Sequence, residues 1–328
     1  MDIARELGIS KSTVSRALSG DTSNVKAETL QKIMKTAHRM GYHRNDLAVH
    51  LRQQRTHNIG IIIPEIITTF YMTFINEVQA ILRKQGYKVM IAISSENPKQ
   101  ERENLLMMEQ LRVDGILMSV CDKDQNVDLY NKVIERGIPI VFFDRTVEGV
   151  QASQVRMDDY IMAFFMVEAL LRKGYKHILH IPGPAYIRNS RERQRGYRDA
   201  LEKFHVAYQA QDILQPALSA EEGSRVMEQY LEKNIPFDAV FGFTETAVLG
   251  AKSTLQKHKM RIPDDVALCC MSGTALATLV HPQLTAVEQP IGEMARESCR
   301  LLMEHLADNN KKTEEIALRG ETVVREST

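Results

Sequence analysis

From residue 58 onward the chain repeats one pattern, a short and nearly unbroken apolar run followed by an amphipathic stretch of helical period. The runs read NIGIIIPE (58–65), YKVMIAIS (87–94), VDGILMSV (113–120), PIVFFD (139–144), HILHIPG (177–183), FDAVFGF (237–243) and DVALCCM (265–271). A strand with one wet face alternates apolar and polar residues, whereas a strand buried on both faces is apolar throughout. These runs therefore predict parallel sheets covered by helices on both sides. Helices are expected at about 70–85, 98–111, 126–136, 159–173, 188–204, 220–233 and 245–257. The strands fall into two sets, each the size of one doubly wound unit. Such sheets bind ligands beyond the carboxyl ends of their strands, so two facing units make a cleft. A length of 328 residues agrees, because one core rarely grows that large.

The first 58 residues obey a different rule. In DIARELGISKSTVSRAL (2–18), Ile3, Ala4 and Leu7 share one helical face, Gly8 can take the left-handed conformation that ends a helix, and Ser10 can cap the next one. This is a helix-turn-helix. On the second helix, Thr13, Val14, Ala17 and Leu18 occupy one half, and Lys11, Ser12, Ser15 and Arg16 the other. The second half carries the donors and acceptors that read base edges and phosphates in a major groove, although a solvent face would look the same. A third helix is expected at about 26–40, where Leu30, Ile33, Met34 and Ala37 repeat, with Gly41 stopping it. The segment NDLAVHLRQQRT (45–56) then offers a cap at Asn45, an apolar face of Leu47, Ala48 and Leu51, and positive charge at Arg52 and Arg55. It is shorter than the 12–15 residues or so that an isolated helix needs in water, so it forms only when something packs on it.

Formal net charge is zero, but residues 1–58 hold ten Lys and Arg against five Asp and Glu. A basic head on an acidic body suits a polyanion-binding module, and a solvated charged surface is the alternative. Cys121, Cys269, Cys270 and Cys299 show no metal-ligand spacing and read as buried free thiols in a reducing compartment. No apolar leader opens the chain and no apolar stretch is long enough to span a bilayer, which points to a cytoplasmic protein with no membrane partner.

Several motifs recur together in order: A-x-x-x-G-I-S-x-x-T-V-S-R-A-L, M-G-Y, N-D-L-A-x-x-L-R, N-I-G-I-I-I-P, R-V-D-G-I-L (112–117), G-I-P-I-V-F-F-D-R (137–145), G-Y-K-H-I (174–178), E-R-Q-R-G-Y-R-D-A-L (192–201), R-I-P-D-D-V-A-L (261–268) and H-P-Q-L-T-A-V (281–287). The set resembles the LacI/GalR (lactose-repressor) family of bacterial transcription regulators over essentially the whole chain. The resemblance implies a helix-turn-helix head at 1–43, a hinge helix and linker at 44–57, and a periplasmic-binding-protein-like core at 58–328. Within that core one subdomain would span about 58–146 and 288–309, and the other about 147–287 and 310–328, with EIALRG and ETVVRE both returning to the second.

The resemblance further implies that Lys11 and Ser12 read bases, supported by Thr13, Ser15 and Arg16. Asn45, Leu51 and Arg52 belong to the hinge, where Leu51 of each subunit of a homodimer wedges into the minor groove of a pseudopalindromic double-stranded operator. The exposed leucine on a helix too short to stand alone agrees with that role, the alternative being that it docks on its own domain. For a small-molecule effector, carbohydrate or sugar derivative, the implied cleft residues are Phe70, Tyr71, Asn189, Arg193, Phe241, Thr244 and Ser272. The family often has Asn-Asp where Thr244 and Glu245 stand, and an Asp where Ser272 stands. Losing that Asp points toward a phosphorylated or otherwise acidic ligand, because Arg193 would then meet less competing negative charge.

Catalytic motifs are missing. There is no G-x-G-x-x-G after a strand, no G-x-S-x-G and no H-E-x-x-H, and LGAKST (249–254) lacks the glycine pattern of a P-loop. The expectation is therefore a dimeric, effector-responsive DNA-binding regulator, a repressor by its family resemblance, with no catalytic residue, cofactor or metal. A solute-binding receptor of the same core architecture is the alternative, and the basic head argues against it.

Overall fold

The computed structural model describes residues 2–19, 25–41, 55–66, 68–122, 125–207 and 209–328. It separates into two compact units, Met1–Thr56 and His57–Thr328. In the first, α1 (Asp2–Glu6), α2 (Lys11–Ser19) and α3 (Ala27–Arg39) surround a small core. Ile3, Ala4, Val14, Ala17, Ile33 and Ala37 are its buried members. Gly8 takes φ 63°, the left-handed turn that lets α2 fold back on α1. The Ser10 hydroxyl then accepts the backbone N–H of Thr13 at 3.1 Å, the N-cap its position predicts. Arg39 at the end of α3 pairs with Glu6 of α1. The expected hinge helix, with Asn45, Leu51 and Arg52, lies outside the described residues.

The second unit begins with β1 (Asn58–Ile63), α4 (Thr69–Lys84), β2 (Lys88–Ile93), α5 (Pro98–Gln110), β3 (Gly115–Met118), α6 (Val127–Glu135), β4 (Ile140–Phe143) and β5 (Ser153–Met157). It continues with α7 (Asp159–Arg172), β6 (Ile178–Ile181), α8 (Arg188–Lys203), a short 3-10 turn (Ala210–Asp212), α9 (Ala220–Leu231), β7 (Ala239–Gly242), α10 (Glu245–Lys257), β8 (Ala267–Gly273) and α11 (Ala275–Leu279). The chain closes with β9 (Thr285–Glu288), α12 (Ile291–Ala307), β10 (Glu315–Leu318) and β11 (Glu321–Val323).

Two sheets result. The first is wholly parallel in the order β10-β5-β4-β3-β1-β2, with Ile61 opposite Ile91 on one side and Leu117 on the other. The second runs β11-β9-β8-β7-β6 and is parallel except for the β11–β9 pair at its edge. The central strands β1, β3, β4, β7 and most of β8 are buried on both faces, as their unbroken apolar runs require. On one face of the first sheet, Leu117, Phe143 and Val155 pack with Phe74 of α4 and with Met294, Ala295, Leu301 and Leu302 of α12. Helices α7 and α8 cover one face of the second sheet, while α9 and α10 cover the other.

Two expected boundaries are wrong. Residues 153–157 form a strand of the first sheet, and EIAL at 315–318 pairs beside it, Ile316 opposite Val155, so neither segment belongs to the second subdomain. β10 is the edge strand and β5 lies next to it, and the alternating burial of Ser153–Met157 suits a strand with one drier face. The chain therefore crosses between the sheets at 157–159, 288–291 and 318–321. At the last crossing, a Cβ on Gly320 would lie 2.6 Å from the carbonyl oxygen of Glu288, so two crossing segments touch backbone to backbone.

Candidate functional site

On α2 the expected division of faces holds. Val14 and Ala17 are buried, Thr13 and Leu18 are half-buried, and Lys11, Ser12, Ser15 and Arg16 are exposed. The cap at Ser10 fixes where the helix starts, and with it the direction of its first-turn side chains. Two cations and two hydroxyls thus stand on the wet side of a helix whose dry side is committed to the small core.

The second unit holds a cavity whose space, counted with its open mouth, is about 650 Å³. Both lobes wall it. Glu65, Thr68, Phe70, Tyr71, Glu96, Asp144 and Arg145 come from the first, and Asn189, Arg193, Leu218, Phe243, Thr244 and Ser272 from the second; Gln289 lies on a crossing segment. Glu65 follows β1, Glu96 follows β2 and Asp144 follows β4. The β1/β3 boundary, where the strand order of the first sheet reverses, lies beside them, as the switch-point rule for doubly wound sheets requires.

Asp144 links the walls. One carboxylate oxygen accepts from Tyr71 Oη at 2.8 Å, and the other accepts from Asn189 Nδ2 of the opposite lobe at 3.0 Å. Ser119 lies 3.0 Å from the Tyr71 hydroxyl and completes the chain. Burial raises the Asp144 carboxyl from 3.8 to about 6, against the lowering effect of neighbouring Arg145. Burial likewise pushes the Tyr71 phenol well up. A second tie joins the lobes beside the first, where Arg188 Nη1 donates to Thr146 Oγ1 at 3.3 Å.

Arg193 is buried and already partnered. Its Nε and Nη2 both lie 2.7 Å from Asp159 Oδ1, its Nη1 donates to the carbonyl of Phe243 at 2.7 Å, and its Cζ lies 4.3 Å from the centre of the Phe243 ring. The expectation that Arg193 meets less competing negative charge for want of an Asp at Ser272 does not leave it unpaired, because Asp159 holds it. Three of the five guanidinium N–H groups are committed, so those left over can donate to a neutral oxygen, but the charge is largely spent. Thr244 and Ser272 serve α10 as well as the cavity: the N–H of Ala247 donates to Thr244 Oγ1, and the N–H of Glu245 to Ser272 Oγ. Glu245 fastens the adjoining loop by accepting from Thr274 N and Oγ1.

The structure brings Phe70, Tyr71, Asn189, Arg193, Thr244 and Ser272 to one cavity. Phe241 is not among them. It is fully buried, stacked on His180 with ring centres 4.9 Å apart and on Tyr197, so it is core, and Phe243 two residues later lines the cavity instead. Glu65, Glu96, Asp144 and Arg145 are lining residues that the sequence reading missed. Each acidic one stands just past an apolar run, in IIIPE, IAISSE and FFD, so the signal for them was the strand end itself.

Residues 56–318 match the family model described as periplasmic binding proteins and sugar binding domain of LacI family, and residues 1–45 match that of bacterial regulatory proteins, lacI family. The chain belongs to the LacI family. This LacI-family protein is 30% identical to catabolite control protein A of Priestia megaterium, over 95% of this chain and 92% of that one. It is 28% identical to the HTH-type transcriptional regulator DegA of Bacillus subtilis (strain 168), over 100% and 97%. The solved complex of the transcriptional regulator CelR with cellobiose superimposes with a TM-score of 0.77 at 25% identity, covering 99% of this chain and 98% of that one. The protein is thus a DNA-binding transcription regulator with a periplasmic-binding-protein-like core, and its relatives are regulators rather than enzymes. Among the described residues, no helix is long and apolar enough to cross a membrane.

Proposed function

We propose that this LacI-family regulator is a cytoplasmic repressor that works as a homodimer on a pseudopalindromic operator, and that a carbohydrate or sugar derivative in the cleft controls its affinity for DNA. The observation that carries the effector reading is the two-sided wall of the cavity, with Tyr71, Glu96 and Asp144 on one lobe and Asn189, Arg193 and Phe243 on the other. A ligand touching both walls binds one lobe orientation better than another, and that difference is what shifts a two-state equilibrium. The crossings at 157–159, 288–291 and 318–321 are where the lobes turn, and Gln289 sits on one of them within the cavity wall.

On the DNA side, Lys11 and Ser12 read bases, Thr13, Ser15 and Arg16 support them, and Asn45, Leu51 and Arg52 belong to a hinge helix that folds on the operator. A short helix of this kind is stable only when its apolar residues find a partner helix and unstacked bases, so lobe orientation acts through the spacing of the two hinges. The test is fluorescence anisotropy of the full chain on DNA selected from a random pool, at two salt concentrations, with Leu51→Ala alongside. Tight, salt-dependent binding to a pseudopalindrome with a flexible central step, weakened by Leu51→Ala, is the expected result. Failure to enrich any sequence, with and without candidate effectors, overturns the operator reading.

A further inference from the structure

The first lobe carries a hollow of its own, at the end away from the cleft. It opens at the amino-terminal ends of β4, β5 and β10, and its space, counted with the open mouth, is about 670 Å³. Ile134, Pro139 and Ile140 give it an apolar wall, while Glu135, His305 and Lys311 give it charge and hydrogen-bonding groups.

His305 decides what the hollow offers. The residue is only 8% exposed, and its Nε2 lies 2.8 Å from Ser153 Oγ. That hydroxyl is fully buried and already accepts the N–H of Glu314 at 3.0 Å. Its proton has no acceptor among the described residues other than His305 Nε2. Ser153 therefore donates, and the ring is the neutral tautomer with its proton on Nδ1. Burial and the neighbouring Lys311 both oppose a second proton on the ring. Nδ1 itself has no partner among the described residues, and it is not sealed in the protein as His180 Nε2 is. An oriented N–H donor thus meets the hollow from a side chain that is nine-tenths buried.

A second element brings the opposite preference. Helix α6 ends at the hollow, and the last carbonyls of a helix carry partial negative charge. Glu135, in the final turn of α6, has no ion-pair partner among the described residues. Lys311 adds a positive charge on the α12 and β10 side. Its ammonium pairs with Glu304 at 2.9 Å and Glu314 at 3.1 Å, which leaves one N–H to donate elsewhere. One part of the hollow therefore favours a cation, and another favours an acceptor oxygen.

We infer that this hollow is a second small-molecule site, for a zwitterionic α-amino acid with an apolar side chain. The ammonium meets Glu135 and the end of α6, a carboxylate oxygen accepts from His305 Nδ1 and Lys311, and the side chain lies on Ile134, Pro139 and Ile140. The inference stands independently of the effector reading of the cleft.

The test uses the full chain labelled at isoleucine methyls and histidine ring nitrogens, followed by NMR. It is titrated at millimolar concentrations with L-valine, L-leucine and L-phenylalanine, and with isoamylamine and 4-methylpentanoate, which each keep one charge of leucine. At least one amino acid is expected to move the methyls of Ile134 and Ile140 and to leave Ile63 and Ile187, beside the cleft, in place. The one-charge analogues should bind roughly tenfold more weakly. The ring spectrum should show His305 protonated on Nδ1, with that nitrogen moving on binding. Glu135→Gln, at an exposed position, should weaken the amino acid by roughly twofold to fivefold, the range of an exposed ion pair, without changing the response to 4-methylpentanoate. Unmoved Ile134 and Ile140 methyls with all three amino acids overturn the inference. So do a one-charge analogue that binds as tightly, a ring protonated on Nε2, or a Glu135→Gln protein that binds like the wild type. Shifts at Ile63 and Ile187 alone place the amino acid in the cleft and overturn it too, and in every case the effector reading is judged on its own test.

Discussion

Replacing Asp144 by Asn should make the core more stable near neutral pH and less stable, relative to itself, in mild acid. Asp144 is buried, and its carboxyl is raised from 3.8 to about 6. A group whose folded pKa is raised contributes stability below its unfolded pKa, and that stability is lost as pH rises through the folded value. A shift of roughly two pH units corresponds to about 3 kcal/mol lost by pH 7.5, of which about 1 kcal/mol is already lost at pH 4.5. His180 opposes it. This ring is fully buried between Tyr197 and Phe241, its Nδ1 lies 3.0 Å from the carbonyl of Phe241, and burial lowers it from 6.5 to about 4. Its penalty is nearly absent by pH 7.5 and reaches about 2–3 kcal/mol at pH 4.5, as the unfolded chain takes up a proton that the folded ring refuses. In the wild type the two nearly cancel between pH 7.5 and 4.5. Asn fits the site without orphaning a partner: its oxygen accepts from Asn189, and its NH₂ donates to Tyr71 Oη, whose proton can turn to Ser119. Urea unfolding at pH 4.5, 5.5, 6.5 and 7.5 should show Asp144→Asn ahead of the wild type by about 3 kcal/mol at the highest pH and about 1 kcal/mol at the lowest. A difference that is the same at every pH would refute the reasoning, since only a titrating carboxylate makes it vary.

Three further outcomes are expected. Ser10→Ala removes the cap of α2 and should cost the head about 1 kcal/mol, read as a lower melting midpoint for the head with the core transition unmoved. Gly250→Ala should cost about 1–3 kcal/mol, because its Cβ would lie 1.9 Å from the carbonyl oxygen of Ala220 where α9 crosses α10; Gly292→Ala, whose Cβ meets nothing nearer than Arg296 at 3.5 Å, should gain up to about 1 kcal/mol, and denaturant midpoints separate the two. Asn189→Ala takes away the cross-lobe partner of Asp144 and should loosen the two lobes from one another, seen as a larger radius of gyration of the unliganded protein in small-angle scattering; an unchanged radius counts against the tie.

What the sequence revealed and what it hid have physical causes. Strands buried on both faces wrote themselves plainly as NIGIII or IVFF, and the helices between them followed to within two residues. Strand β5 hid because its burial alternates, which brings Gln154 and Arg156 into SQVRM and breaks the apolar run. Strand β10, with exposed Glu315 and Ala317, is a sheet edge, and edge positions constrain composition least. The confusion of Phe241 with Phe243 is one of register. Two aromatic residues flank Gly242, and nothing in their spacing says that the first ends inside the sheet while the second clears its end. The partnership of Arg193 with Asp159 joins residues far apart in the chain, a pairing that only the folded backbone specifies.

The threading of the chain has a consequence for its synthesis. The first sheet gains its outer strand only at 315–318, and one of its faces is covered by 291–307, after the chain has built nearly all of the second lobe. At on the order of 5–20 residues per second, roughly ten to thirty seconds separate the emergence of β5 from that of its neighbour. During that interval the nascent first lobe carries an unpaired strand edge and an apolar face that α4 covers only in part, the kind of surface that chaperones hold. A ribosome that stalls before residue 315, or a protease that removes 315–328, therefore damages the lobe that was translated first along with the edge of the second.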